Sequence, residues 1–488
     1  MPGDVQADQA AVQETAPAPV KLGSRYWRLW TASIISNLGD GVATIAYPWL
    51  ASAVTRNGLL IGLIAVAQRL PWLIFTLPAG VITDRVDRRR IMVSMDVVRA
   101  IVTLAVAFAV LARQGVLPAP DEIATGLELT TDMTLYLVVL MASLFFGFAE
   151  VLRDNAAQTI LPAIVEPAGL EKANAQMWGV EMVANSFVGP PLGSLLIGVA
   201  FALPFFFDAG TFAVAAALVW LISGTFRADG AAATKGQKID WKGEISEGFG
   251  WLWRHPLLRP MAIILGFMNG LGMVTFATFV LFAQEVLHTS AFEFALLGTG
   301  AAIGGLAGTF LASKVSSRLG SGTALFLTLS ASVVITAIIG VSSHWLVVWA
   351  AFGLFTFTAI LWNVITVSLR QTIIPDRLLG RVNSVYRFFA WGMMPIGSVI
   401  GGLLVVGTES VGSRELALRM PWFVAAASYV LLLIYAAPKL TTAKIESARE
   451  EGVAAKEASG ESTDPGMVAD DAIAESGIQG APPPIDDD

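Results

Sequence analysis

Residues 80–90 read Gly-Val-Ile-Thr-Asp-Arg-Val-Asp-Arg-Arg-Arg, a charge-dense turn between two apolar runs at 59–82 and 91–112. Each run exceeds the ~20 residues that cross a hydrocarbon layer ~30 Å thick at ~1.5 Å per residue. Arg85, Arg88, Arg89 and Arg90 sit in a short turn between spanning helices, and such turns resist translocation. The turn is therefore placed on the cytoplasmic side, and the orientation of the whole chain follows from it. On its own it is equally a basic anchor for a helix hairpin.

Working outward, the 488 residues are 55% hydrophobic and only 14% charged. Soluble domains carry about 25% charged residues, so the composition is that of an integral membrane protein. The absence of cysteine excludes disulfides, thiolate metal sites and a cysteine nucleophile. His255, His288 and His344 are scattered, with no metal-ligand spacing. The net charge of −7 is misleading, because residues 438–488 hold twelve acidic and four basic residues. The rest is near neutral and carries no basic patch for nucleic acid.

Residues 1–22, rich in Ala, Pro and Gln without an apolar signal-like core, are predicted to be a disordered cytoplasmic arm. Six spans follow in 23–224, near 27–54, 59–82, 91–112, 134–157, 173–199 and 203–224. A polar linker, 225–256, contains a segment fitted to lie as an amphipathic helix at the interface, anchored by Trp241, Trp251 and Trp253. Six more spans occupy 257–437, near 257–287, 292–315, 322–342, 345–369, 383–407 and 417–437. The acidic tail, 438–488, is predicted to be disordered and cytoplasmic. The expected fold is thus all-α, with twelve transmembrane helices and both termini inside. Lys/Arg residues concentrate in the loops this topology places inside.

The halves echo each other. Gln158-Thr159-Ile160-Leu161-Pro162 recurs as Gln371-Thr372-Ile373-Ile374-Pro375, Asn174 as Asn383, and Gly189-xxx-Gly193 as Gly397-xxx-Gly401. Same-order repeats of six spans predict parallel halves related by an axis along the membrane normal.

Gly80, three residues, Asp84-Arg85, two residues and Arg88-Arg89 resemble the loop signature of the major facilitator superfamily. Asp87 stands where that family usually has glycine, and Ile82-Thr83 replaces Leu-Ala. In span five, Gly189-Pro190-Pro191-Leu192-Gly193-Ser194 resembles the family's antiporter motif, with Asn185 in place of its first glycine and Ser194 of its last. Ser36–Asp40, residues 149–212 and Gly380–Ser384 are similar to the macrolide-efflux and enterobactin-exporter branch. The resemblance covers about 25–437 and implies a proton-coupled exporter of small molecules. It also implies that Gly80, Asp84, Arg85 and Arg88 belong to a cytoplasmic gate.

Charges inside spans cost roughly 2.5–3.5 kcal/mol at the helix centre on insertion scales, so each needs a reason. Asp40 in span one and Glu181 in span five are the proton-coupling candidates; the plainer reading is a structural carboxylate paired with a neighbouring helix. Arg69 is read as a partner of Asp40 or as snorkelling outward. Asp96 and Arg99, three apart on span three, are expected to pair with each other, and Asp208 to be interfacial. Arg153 and Asp154 share a face of span four with Glu150, and an Arg88–Asp154 bridge is expected to complete the gate; a static latch is the alternative. Gln68, Arg69, Trp178, Asn269 and Asn363 are candidate cavity groups, with interhelical hydrogen bonding the competing role for the two asparagines. Pro190-Pro191 should bend span five, and Gly189 and Gly193 should admit a close partner, expected to be span eight with Gly300, Gly304 and Gly308.

The sequence reading is therefore a secondary active transporter in the plasma membrane, exporting a lipophilic drug, macrolide or siderophore-like molecule against protons by alternating access, as a monomer. An importer or uniporter of a small metabolite is the nearest alternative; a lipid flippase or a non-transporting sensor is the alternative of a different class. No catalytic, metal or phosphate-binding constellation appears, so no enzyme activity and no cofactor are expected.

Overall fold

A computed structural model describes residues 22–120, 122–125, 129–166, 169–227 and 241–459. The first half contains α1 Ser24–Val54, α2 Gly58–Arg85, α3 Arg88–Ala112, α4 Met133–Ile164 and α5 Leu170–Met182. A π turn, Val183–Val188, then leads into α6 Gly189–Val199, and α7 Leu203–Trp220 completes this half. After α8, Trp241–Arg254, the second half comprises α9 Leu258–Phe276, α10 Phe279–Glu285, α11 Ala291–Leu319, α12 Ser321–Val341, α13 Trp345–Ile373, α14 Asp376–Glu409 and α15 Arg414–Ala436. A last helix, α16, spans Thr442–Ser459. The expected arm at 1–22 lies almost wholly outside the described residues.

Local chemistry sets the helix starts. Asn57, Asp87, Asp132 and Ser413 cap α2, α3, α4 and α15, and Ser290 with Glu293 forms a capping box on α11. Among the described residues eleven helical segments are long and apolar enough to cross a membrane. The 31-residue α1 falls outside that set because of its polar content, yet Ser33, Ser36 and Asn37 are buried. α6 and α7 pack on α1, and the face buried between them can carry these groups.

One packing scheme occurs twice. In the first half, α1 packs on α6, α2 on α4, and α3 on α7; in the second, α9 packs on α14, α11 on α13, and α12 on α15. The repeated Gly-xxx-Gly motif occupies equivalent crossings. Gly189 lies against Gly41 and Gly193 against Val42, while Gly397 lies against Gly270 and Gly401 against Val274. A Cβ at any of these positions would meet backbone, which cannot give way. Span five therefore closes on span one. The expected partnership with the Gly300, Gly304 and Gly308 stripe is corrected: those glycines face Trp349, Gly353 and Ile360 of α13. α6 and α11 do touch, and that contact and the α2–α14 contact join the halves.

The tail expectation is corrected over its first part. α16 is helical and docked, with Ile445 buried, Ser321 Oγ 3.2 Å from Glu446 Oε1 and Gly452 against Thr372 and Ile373. Gly320, at φ +79°, makes the turn between α11 and α12 and lies under Thr442. Within the linker, α8 docks on α14: Gly248 sits on the Arg381 backbone and Leu252 is buried. Of the expected aromatic anchors, Trp253 stacks with Phe249 and Phe389, Trp251 is partly buried on the second-half core, and the Trp241 side chain lies outside those described.

Candidate functional site

The centre of the first half holds a chain of charges. Arg99 of α3 donates from Nη2 to Asp40 of α1. Its Nη1 lies 3.6 Å from Asp96 Oδ1, one turn earlier on α3. Arg153 of α4 reaches the same Asp96 oxygen at 3.3 Å and Asp154 at 3.7 Å. Arg99 is also clamped between two rings, 4.6 Å from the centroid of Phe146 and 4.0 Å from that of Phe212. Two carboxylates and two π faces compensate a guanidinium that is only 1% exposed. Asp40 keeps 24% of its side chain accessible and is the open end of the chain.

More acids face this group. Glu150 of α4 acts electrostatically on Asp40, and Glu181 of α5 on Asp40 and Arg153. Asp208 of α7 is 1% exposed, against Gly39, and neither of its oxygens has a hydrogen-bond partner. Among the described residues, Asp40, Asp96, Glu150, Asp154, Glu181 and Asp208 thus gather near the guanidiniums of Arg99 and Arg153. Six negative charges could not all persist there, so the arrangement is chemically suited to taking up protons.

Several expected positions change. Arg99, not Arg69, pairs with Asp40; Gln68 and Arg69 are exposed. Arg153 and Asp154 belong to the buried chain, and the expected Arg88–Asp154 bridge is replaced by Arg88 Nη1 donating to Thr159 O at 2.8 Å. Arg85 is exposed, a Cβ on Gly80 would meet nothing within 4 Å, and the Asp84 side chain lies outside those described. Asn269 Nδ2 donates to Ala390 O at 2.9 Å, tying α9 to α14, and Asn363 is buried in α13. Trp178 packs against the core of the second half. Asp208 is buried rather than interfacial.

Arg99 as the hub is the residue that sequence reasoning missed. Its signal was present: five N–H donors near the middle of a spanning helix exceed what Asp96 alone can accept. Asp40 of a neighbouring helix supplies a further acceptor.

At the end of the bundle away from the arginine-rich turn, a second set of charges joins the halves. Arg56 lies 2.7 Å from Gln284 Oε1 and 3.4 Å from Glu285, and also donates to Ile123 O. Arg414 grips Glu285 at 2.8 and 3.0 Å and the Arg56 carbonyl at 2.9 Å. Gln284 donates to Ser52 Oγ at 2.8 Å. Burial pulls the Arg56 guanidinium down from its ordinary value, and Glu285 opposes that pull.

Two apolar pockets are present among the described residues. One, an open groove of about 650 Å³, runs along α1 and α5, lined by Trp27, Trp30, Leu38 and Val183. The other, about 150 Å³, is inside the second half between Leu271, Phe352, Phe355, Trp422 and Tyr429.

Comparison with known proteins places this geometry. The multidrug efflux pump Tap of Mycolicibacterium fortuitum is 26% identical over 404 residues, covering 80% of this chain and 91% of Tap. The enterobactin exporter EntS of Citrobacter koseri is 24% identical over 387 residues, covering 78% and 84%. Among solved structures, the nucleoside transporter NupG superposes with a TM-score of 0.61 at 11% identity, covering 86% of this chain and 99% of that one. A bacterial homologue of the iron transporter ferroportin, in an inward-facing state, superposes at 0.63 with 14% identity, covering 86% and 98%. Residues 29–398 match the model of the Major Facilitator Superfamily. The chain belongs to the Major Facilitator Superfamily, and it is a transporter rather than an enzyme.

Proposed function

We propose that this transporter exports a lipophilic or amphipathic small molecule in exchange for protons. Two six-helix halves, with α1 counted as the twelfth crossing, rock about a central path, and both termini face the cytoplasm across the plasma membrane. The observation that carries the reading is the surplus of carboxyls around Arg99 and Arg153, with Asp40 accessible at its edge. Protonating Asp40 would release Arg99, so proton binding and the packing of α1 against α3 are linked. The apolar cavities and the efflux relatives support a lipophilic cargo. The protein acts as a monomer.

The test is proton release by the purified protein in a pH-indicator assay, with a panel of lipophilic cations, macrolides and siderophores. Wild type is expected to release protons on binding a cargo, and Asp40→Asn to bind it without release. Cargo binding without proton movement in wild type would instead indicate a uniporter.

A further inference from the structure

We propose that Asp208 is a second proton-binding carboxyl, held behind the Asp40–Arg99 pair in a closed polar chamber. Its carboxyl is 1% exposed, and neither oxygen makes a hydrogen bond of good geometry, although the Thr211 hydroxyl faces it. The space exists because residue 39 is glycine: a Cβ there would occupy the positions of the Asp208 carboxyl and the Thr211 hydroxyl. That hydroxyl is already committed, donating to the Asp208 backbone carbonyl at 2.7 Å.

Other buried polar groups lie around the chamber: the Tyr47 and Thr103 hydroxyls, which face each other, and Arg99 Nε, which has no partner. Rings close it, with Tyr47 edge-on to Phe205 at 5.2 Å and Phe146 tilted on Phe212 at 5.6 Å. So many buried polar atoms in one place mark a site that water and a proton would complete. The ionisable groups facing Asp208 are Asp40 and Tyr47 from α1 and Arg99 from α3; α6 carries none. Arg99 already serves Asp40 and Asp96, so an ionised Asp208 would be an uncompensated buried charge, whereas the neutral acid needs no counterion.

The two carboxyls then share one charge across Arg99. When the Asp208 proton passes to Asp40, Arg99 turns from Asp40 to the newly ionised Asp208. One carboxyl gains the proton that the other gives up, and Arg99 stays charged throughout. The direction of this exchange rests on the antiport reading; the presence of the proton on Asp208 does not.

The measurement is infrared difference spectroscopy of the full chain in lipid nanodiscs, comparing neutral with alkaline pH. A protonated-carboxyl band is expected in wild type at neutral pH, absent from Asp208→Asn and shifted in Asp208→Glu. If Asp208→Asn does not fold, isotopic labelling of aspartate carboxyls in wild type, with Asp208→Glu as the second sample, makes the same assignment. A wild type without the band, or a band unchanged in both variants, overturns the proposal. So does a band replaced by carboxylate on adding sodium, which makes the chamber a sodium site. An intact Asp208 band in a protein that moves no cargo against a pH gradient would sink the antiport reading and leave this site standing.

Discussion

Asp87 shows how much one residue can hide in a motif. Its place is usually glycine in the signature, and the sequence offers only a departure. In the structure it is buried, accepts from Arg90 N at 3.1 Å to cap α3, and accepts from Phe226 N at 2.8 Å. The aspartate thus ties the arginine-rich turn to the segment that follows α7. The cap was legible, since Asp before a helical run is a strong start signal; the long-range partner was not, because nothing local encodes residue 226. His255 is a second residue whose role depends on protonation. Its Nδ1 accepts from Leu257 N at 3.3 Å and Leu258 N at 3.1 Å at the start of α9, which only the ring without a proton on Nδ1 can do. Burial lowers its pKa from the ordinary 6.5, and Glu451 opposes that shift. A lowered folded-state value means the contribution is complete above 6.5 and is lost as pH falls through the folded value. The melting temperature of wild type should therefore drop on acidification below that range. In His255→Asn, which retains a capping acceptor but does not titrate, this part of the drop should vanish. Equal drops in both proteins would remove His255 from the pH response.

At the scale of elements, span five and its partner matter most. Pro190 and Pro191 lack the N–H groups that would bond to the carbonyls of residues 186 and 187. The helix answers with a π turn at Val183–Val188, in which Gly189 N reaches Ala184 O. The bend was legible from the prolines, but its partner was not. Small residues recur on many membrane helices, and periodicity alone does not say which stripe meets which. The structure pairs Gly189 with Gly41, so Gly41→Ala sets a methyl group against Ala184 O and Gly189 Cα. Overpacking of this kind costs about 1–3 kcal/mol. Gly41→Ala should lower thermal stability by that order and reduce transport, and Gly397→Ala should do the same at the equivalent crossing against Gly270. Unchanged stability in both variants would contradict the close-crossing account. The helical order of α16 was also missed, because it lies in an acidic tail and its own apolar periodicity is weak; what holds it is contact with α12 and α13, which no local pattern shows.

For the whole molecule, the all-helical, many-span architecture and the repeated motif were legible because membrane crossing imposes length and composition. The charge chain was legible only as isolated candidates. Asp40 drew attention by its cost in a span, whereas its pairing with Arg99 depends on how α1 and α3 pack. The interlocked end, built from Arg56, Glu285 and Arg414, has no local signature, because its three residues come from distant loops and helix ends. Glu285 lies between two arginines with its side chain 11% exposed, and removing one partner of a buried pair costs about 3–5 kcal/mol. Glu285→Gln should loosen this end and expose what lies beneath. The chain has no cysteine, so Ala53→Cys, buried at 4% in wild type, provides a single reporter. Its modification by a polar thiol reagent should be about tenfold faster or more in the Glu285→Gln background, tenfold being 1.4 kcal/mol of population shift. Equal rates in the two backgrounds would show that this contact does not hold the halves together.

The central claim, exchange of cargo for protons through the Asp40–Arg99 pair, is tested most directly in proteoliposomes with an imposed pH gradient and a fluorescent lipophilic cation as cargo. For electroneutral one-for-one exchange, one pH unit is worth 1.36 kcal/mol and supports roughly tenfold accumulation. Wild type should accumulate the probe towards the acidic side, lose that accumulation on adding a protonophore, and lose it in Asp40→Asn while still exchanging labelled for unlabelled probe at equilibrium. Probe that merely equilibrates, at the same rate with or without the gradient in wild type and Asp40→Asn alike, would contradict the account.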